Sequence, residues 1–123
     1  FNRMFSEQKV QEHWFEKQLE LAVELKMPLF LHERDAHESF VNILSKYRPS
    51  LGPVVVHCFT GKKEEVEQYL KLDCHIGFTG TICNKNRGAH LREILKSRMI
   101  PLNRLMLETD APFMIPFNMP QRV

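Results

Sequence analysis

The stretch VVVHCFTGKKEEVEQYLKLDCHIGF, Val54 to Phe78, decides the fold class. Val54 to Phe59 is rich in β-branched side chains and reads as a buried strand. TGKKEEVEQYLKL follows as a helix, with Val66, Tyr69 and Leu70 on one face. CHIGFTG, Cys74 to Gly80, then reads as another strand, in which Gly77 and Gly80 mark close backbone packing or a turn. A strand, a helix and a strand in direct succession make a unit whose strands run parallel.

Outward from this unit the pattern repeats. Upstream, residues 7 to 26 have helical spacing, with Val10, Trp14, Leu21 and Leu25 as the apolar stripe and Ser6 as the expected cap. Met27-Pro28 stops that helix, and PLFLH reads as a short buried strand ending at His32. Asp35 and Glu38 are spaced like a capping box, so a second helix is expected from there to about Tyr47. Downstream, the loop TICNKNRG leads into the helix AHLREILKSRM, whose inner face is Leu91, Ile94 and Leu95. NRLMLE is the last strand; Leu105, Met106 and Leu107 read as buried on both faces, and Ala111-Pro112 forbids further extension. Four parallel strands with intervening helices fit either an open doubly wound sheet or part of a (β/α)8 barrel. A full barrel usually needs about 250 residues.

Composition narrows the function classes. The chain has 123 residues, 43% of them hydrophobic, enough for one core. A net charge of +2, from 17 basic and 15 acidic residues, does not mark a protein that coats nucleic acid. Three cysteines without CxxC spacing read as reduced thiols, which points to the cytoplasm, with the nucleus as the alternative. No apolar run approaches membrane-spanning length. The first residue is Phe1 and the first methionine is Met4. A single domain over residues 1–123, truncated at both ends, is therefore expected.

Chemistry-bearing residues fall at strand ends. One strand ends at His32, the next at His57, and the last at Asp110, just past Glu108. In a parallel sheet all C-terminal ends share one edge, so the three side chains can converge. Two imidazoles and a carboxylate suit a divalent hydrolytic metal. Each also has an ordinary reading: a satisfied core histidine, a loop-capping aspartate. Glu108 suits either orienting a ligand or an ion pair with Arg104 or Arg34. Arg34, next to His32, suits clamping a phosphate or a surface ion pair. Lys62 follows Gly61 at a helix start, without the earlier glycine of a P-loop. Arg87 lies in the basic loop Lys85-Asn86-Arg87, a phosphate contact or a solvated loop. His37 and His90, on helices, are expected to be solvated.

PLFLHERDAHESF, VVHCFTG, IGFTGTICNKNRG and LMLETDAPF together resemble the TatD family of metal-dependent deoxyribonucleases, from about Phe1 to Pro116. The opening FNRMFS is similar to the segment after the family's fourth strand. The resemblance implies a partial (β/α)8 barrel holding barrel strands five to eight. It implies a divalent metal (Mg, Mn or Zn) and hydrolysis of DNA phosphodiesters, including removal of nucleotides from a 3′ end. By the same resemblance His32, His57 and Asp110 are metal ligands, Asp110 also accepts the proton of the attacking water, and Arg34 lies beside the substrate. Glu108 matches a family position near the metal centre, as a supporting residue, and Lys62 and Arg87 are the further candidates for contact with the substrate phosphate. The family's strand-one His-x-His is absent from this sequence, as is its strand-four glutamate, and residue 33 is Glu where many relatives have a small residue. The expected partner is DNA, with no membrane and no obligate protein partner. The chain alone is expected to be weakly active or inactive. The alternatives are a related amidohydrolase acting on a small amide or ester, and a non-catalytic interaction module.

Overall fold

A computed structural model describes residues 6–119. The opening FNRMF and the closing Pro120 to Val123 lie outside the described residues, so the reading of both ends is not addressed by them. The order is α1 (Gln8–Leu25), β1 (Leu29–His32), α2 (His37–Tyr47), β2 (Val54–His57), α3 (Lys63–Lys71), β3 (His75–Phe78), α4 (Ala89–Lys96) and β4 (Leu105–Leu107). Single turns of 3₁₀ helix precede β2, α4 and β4.

The strands form one sheet in the order β1-β2-β3-β4, with every pair parallel. A doubly wound sheet would reverse its strand order at a switch point. The unbroken order instead makes this an α/β sector of a (β/α)8 barrel, with helices over one face. On that face Leu31, Val54, Val56, Ile76 and Phe78 pack against Leu19, Phe40, Leu44, Val66, Tyr69, Leu91 and Ile94. Each fully buried aliphatic or aromatic side chain contributes about 1.5–3 kcal/mol. A run of rings, Phe15–Phe40–Tyr69–Phe59–Phe78, threads this core with centroids 5.1 to 6.1 Å apart.

Several local expectations need correction. On α1 the stripe Val10, Trp14, Leu21 and Leu25 is exposed, Trp14 by 60%, and Leu19 and Ala22 face the core. The helix carries two apolar stripes with the same period, and only contact with α2 and the sheet selects between them. Its N-cap is Glu7, not Ser6. The N-cap of α2 is Ala36, not Asp35, because the Ala36 N–H donates to Glu33 Oε1 at 2.6 Å. Neither outer strand is buried on both sides. Phe30 is 63% and Leu107 77% exposed, because β1 and β4 are the edges of the sheet. All three cysteines are free thiols.

Gly77 and Gly80 sit where the backbone leaves no room. A Cβ on Gly77 would lie 2.5 Å from Glu108 Oε1 and 3.3 Å from the His57 Cα. One on Gly80 would run into the Met114 carbonyl and lie 2.7 Å from the Pro116 nitrogen.

Candidate active site at the strand C-termini

The register places His32 directly beside His57. Side chains alternate along a strand, so both imidazoles leave the face opposite the helices, together with Phe30 and Gly77. His32 Nδ1 and His57 Nε2 are 3.1 Å apart, with ring centroids 4.9 Å apart. Phe30 stacks on His57 at 4.6 Å and 27°, fixing that ring from below. The His32 imidazole is pushed below its ordinary pKa, mainly by burial and then by the neighbouring His57, while Asp110 and Glu33 pull it back up. At pH 7 it is therefore neutral, the form with a free nitrogen lone pair.

Glu108 reaches across this pair from the far side of the sheet. It continues β4, with its N–H donating to the Phe78 carbonyl at 3.0 Å. Its side chain crosses over Gly77, where the absent Cβ leaves the space, to reach β2. Oε1 accepts from the Cys58 N–H at 2.5 Å, and Oε2 lies 3.4 Å from His57 Nδ1. That nitrogen is buried and lacks a hydrogen bond of good geometry. Cys58 adopts φ 49°, a left-handed conformation costly for a residue with a side chain. The charged hydrogen bond from Glu108 offsets that cost. Arg104, one ordinary partner considered for Glu108, pairs with Asp73 instead.

Asp110 follows at φ 56°, and its carbonyl accepts from the Phe113 N–H at 2.8 Å. Its charge is felt at both His32 and Cys58. Yet among the described residues no three His, Cys, Asp or Glu side chains gather closely enough to hold a metal ion. The sheet brings together His32, His57 and Glu108; Asp110 stands at the rim on a loop. The pair nevertheless suits a cation. Two nitrogens bound to one ion at about 2.1 Å, at octahedral to tetrahedral angles, lie about 3.0–3.4 Å apart. A ligating histidine also usually turns its other ring nitrogen to a carboxylate, as His57 does toward Glu108.

A cavity of about 530 Å³ opens beside His32, lined by Glu33, Arg34, Cys58, Thr60, Lys62 and Met114 among others. Arg34 and Lys62 therefore share one space with His32. Lys62 is the N-cap residue of α3, and its N–H donates to Glu65 Oε2 at 2.7 Å. Arg87 is elsewhere, in an adjoining groove with Asn84, His90 and Phe117. His37 is not merely solvated: Nδ1 lies 3.0 Å from the Tyr69 hydroxyl and Nε2 3.2 Å from Gln68 Oε1. His90 is exposed but donates to the Thr60 carbonyl at 3.1 Å.

Sequence reasoning missed the support beneath the β1–α2 loop. Buried Tyr69 donates from its hydroxyl toward Glu33 Oε2, 3.4 Å away, or His37 Nδ1, and Glu33 holds the Ala36 N–H. A tyrosine on an otherwise apolar helix face was the available signal, because a buried hydroxyl requires a partner.

The whole chain, residues 1–123, matches the family model described as TatD related DNase. The chain belongs to the TatD-related DNase family. It is 50% identical over 122 residues to the 3'-5' ssDNA/RNA exonuclease TatD of Erwinia billingiae, covering 99% of this chain and 46% of that protein. It is 47% identical over 116 residues to the protein of the same name from Citrobacter rodentium, covering 94% of this chain and 43% of that one. The chain thus spans about half the length of the curated relatives it matches. Among solved structures, a TatD homologue from Escherichia coli superposes with a TM-score of 0.75 at 34% identity, over 86% of this chain and 39% of that one. An uncharacterized amidohydrolase from Saccharomyces cerevisiae gives a TM-score of 0.79 at 27% identity, over 95% of this chain and 39% of that one.

Proposed function

We propose that this chain supplies half of the active site of a metal-dependent nuclease that removes nucleotides from the 3′ end of DNA. The observation that carries the reading is the facing pair of imidazole nitrogens, 3.1 Å apart, with Glu108 behind His57. His32, His57 and Asp110 are the residues that would hold a divalent cation (Mg, Mn or Zn). When bound, such a cation supplies Lewis-acid activation of water and of the scissile phosphate. The chain's own groups do the rest. Glu108, 3.4 Å from His57 Nδ1, favours the tautomer with its proton on that nitrogen. Asp110 accepts the proton of the attacking water. Arg34 and Lys62, on the wall of the same cavity, neutralise charge developing on the phosphate oxygens.

Nuclease activity is named for relatives about twice as long as this chain. The chain's own activity is expected to be weak or absent, because the family's His-x-His and further glutamate do not occur in this sequence. Among the described residues no helix is long and apolar enough to cross a membrane. Three reduced thiols favour the cytoplasm, with the nucleus as the alternative.

Calorimetric titration with Mn²⁺ or Zn²⁺ tests the reading. Wild type should bind one ion and His57→Ala should not; equal heats from both would overturn it. A second reading is favoured by the open sheet edges, where Phe30 and Leu107 stand exposed. On that reading the chain is a non-catalytic module that pairs with another polypeptide, and it would bind neither metal nor DNA. Action on a small amide or ester, as in other amidohydrolases, would show as metal-dependent esterase activity without cleavage of DNA.

A further inference from the structure

We infer that the groove between the loop after β3 and the loop after β4 is a binding subsite for single-stranded DNA. It would hold a nucleotide on the 5′ side of the scissile phosphate, and it rests on the nuclease reading above. The groove has a volume of about 410 Å³ and is lined by Thr60, Thr81, Asn84, Arg87, His90, Met114, Ile115 and Phe117, with no carboxylate among them. Thr60 and Met114 also line the cavity that contains His32, Arg34 and Lys62, so the two spaces adjoin. A strand with its 3′ end at the histidine pair can therefore pass over Met114 into the groove.

The groove carries the two features that single-stranded recognition uses: a cation for the backbone and an aromatic face for a base. Phe117 is 75% exposed, a large apolar ring left open to water on a loop. The Arg87 guanidinium is exposed and forms no hydrogen bond or ion pair among the described residues. Its backbone is nonetheless fixed, because Asn84 Oδ1 accepts from the N–H groups of both Asn86 and Arg87, at 3.0 and 2.9 Å.

The walls are fixed before any ligand arrives. Arg92 donates to the carbonyls of Ile82, Asn84 and Lys85, bolting the basic loop to α4. Thr81 Oγ1 lies 3.3 Å from Met114 Sδ. Gly80 has no side chain to hold the 114–116 backbone away. His90 ties the groove floor to Thr60. A rigid shelf loses little freedom on binding, so contact made there converts efficiently into affinity.

The test is fluorescence anisotropy with 5′-fluorescein oligothymidylate of eight nucleotides, in EDTA to prevent cleavage. Arg87→Ala and Phe117→Ala should each weaken binding about fivefold or more, the low end for one stacked base or phosphate contact. Arg87→Ala should also reduce the slope of log K against log salt by about 0.7, and Phe117→Ala should leave it unchanged. Lys17→Ala, on α1, should change neither. Unchanged affinity in both groove variants, with His57→Ala still abolishing metal binding, overturns the subsite and leaves the nuclease reading standing. Absence of any oligonucleotide binding by wild type, together with absence of metal binding, overturns both. A dimer in sedimentation that Phe117→Ala dissociates would show that a second copy occupies the groove, and would also overturn the proposal.

Discussion

Replacing Glu108 by Gln isolates what the carboxylate does for His57. Its two oxygens have different jobs: Oε1 accepts from the Cys58 N–H at 2.5 Å, and Oε2 lies 3.4 Å from His57 Nδ1. A glutamine keeps one oxygen for Cys58, and its amide nitrogen then faces His57. An amide N–H donates, so it favours the imidazole tautomer with its proton on Nε2. That is the nitrogen facing His32, and a protonated nitrogen cannot bind a cation. Loss of such a supporting carboxylate costs about 10–100-fold in metal affinity, or about 1.4–2.8 kcal/mol.

The metal-free fold should respond differently. Glu108→Gln exchanges a charged for a neutral hydrogen bond, a cost of about 1 kcal/mol. Glu108→Ala leaves the Cys58 N–H without its acceptor at a residue already held at φ 49°, which should cost about 2–3 kcal/mol. Calorimetry with Mn²⁺ and thermal melts without metal separate the two effects. The expected pattern is similar loss of metal affinity in both variants, but a much larger fall in melting temperature for Ala. Wild-type affinity in Glu108→Gln would refute the tautomer argument.

Gly77→Ala should mimic the loss of Glu108, because the new methyl would sit 2.5 Å from Oε1 and displace the carboxylate. Metal affinity should fall about 10–100-fold, with no further loss in the Gly77→Ala/Glu108→Ala double variant; additive losses would count against it. Arg48 donates to the carbonyls of Leu51, Gly52, Leu72 and Asp73, tying the end of α3 to the start of β2. Arg48→Ala should lower stability by about 2–4 kcal/mol in urea unfolding, and a change below 1 kcal/mol would show that water replaces those bonds. Burial pushes the Cys74 thiol up to about 11, above the roughly 8.5 of an unfolded thiol. The folded chain therefore keeps a proton that the unfolded chain releases. The resulting stability is complete below about pH 8.5 and declines as pH rises toward 11, by up to ~3 kcal/mol. Cys74→Ala should flatten that decline in the urea midpoint, and an unchanged slope would contradict it. Half-buried Cys83 should react with a thiol reagent well before the buried Cys58 and Cys74 do, read by mass spectrometry.

The order of elements and the parallel sheet were legible because strand and helix periods differ and each segment carried one of them. Burial at the edges was not. Leu105 to Leu107 and Leu29 to Leu31 have the composition of interior barrel strands, and composition does not record whether a neighbouring strand is present. The same limit misassigned α1, where two apolar stripes were equally periodic. The histidine pair was legible because both residues end β-rich runs. Glu108 was legible only as an alternative, since its reach to His57, two strands away, depends on the missing Cβ of Gly77 on the strand between them. The role of Glu33 and Tyr69 beneath the loop was hidden because it joins residues from different βα units.

The strand-borne and loop-borne parts of the site differ in what holds them. His32 and His57 are adjacent because β1 and β2 pair in one register, and a slip by one residue would send one imidazole into the helix-facing core. Burial of Val54 and Val56 forbids that slip, so the core of the fold and the spacing of the nitrogens are set together. Asp110 has no such constraint: it lies beyond β4, past the last ladder hydrogen bond from Glu108 to Phe78. Its position depends on the 110–117 loop, which Gly80 and Thr81 pin against the turn after β3. That same loop carries Phe117. A strand seated in the groove would therefore bear on the segment that delivers the aspartate, while the imidazole pair stays fixed by the sheet.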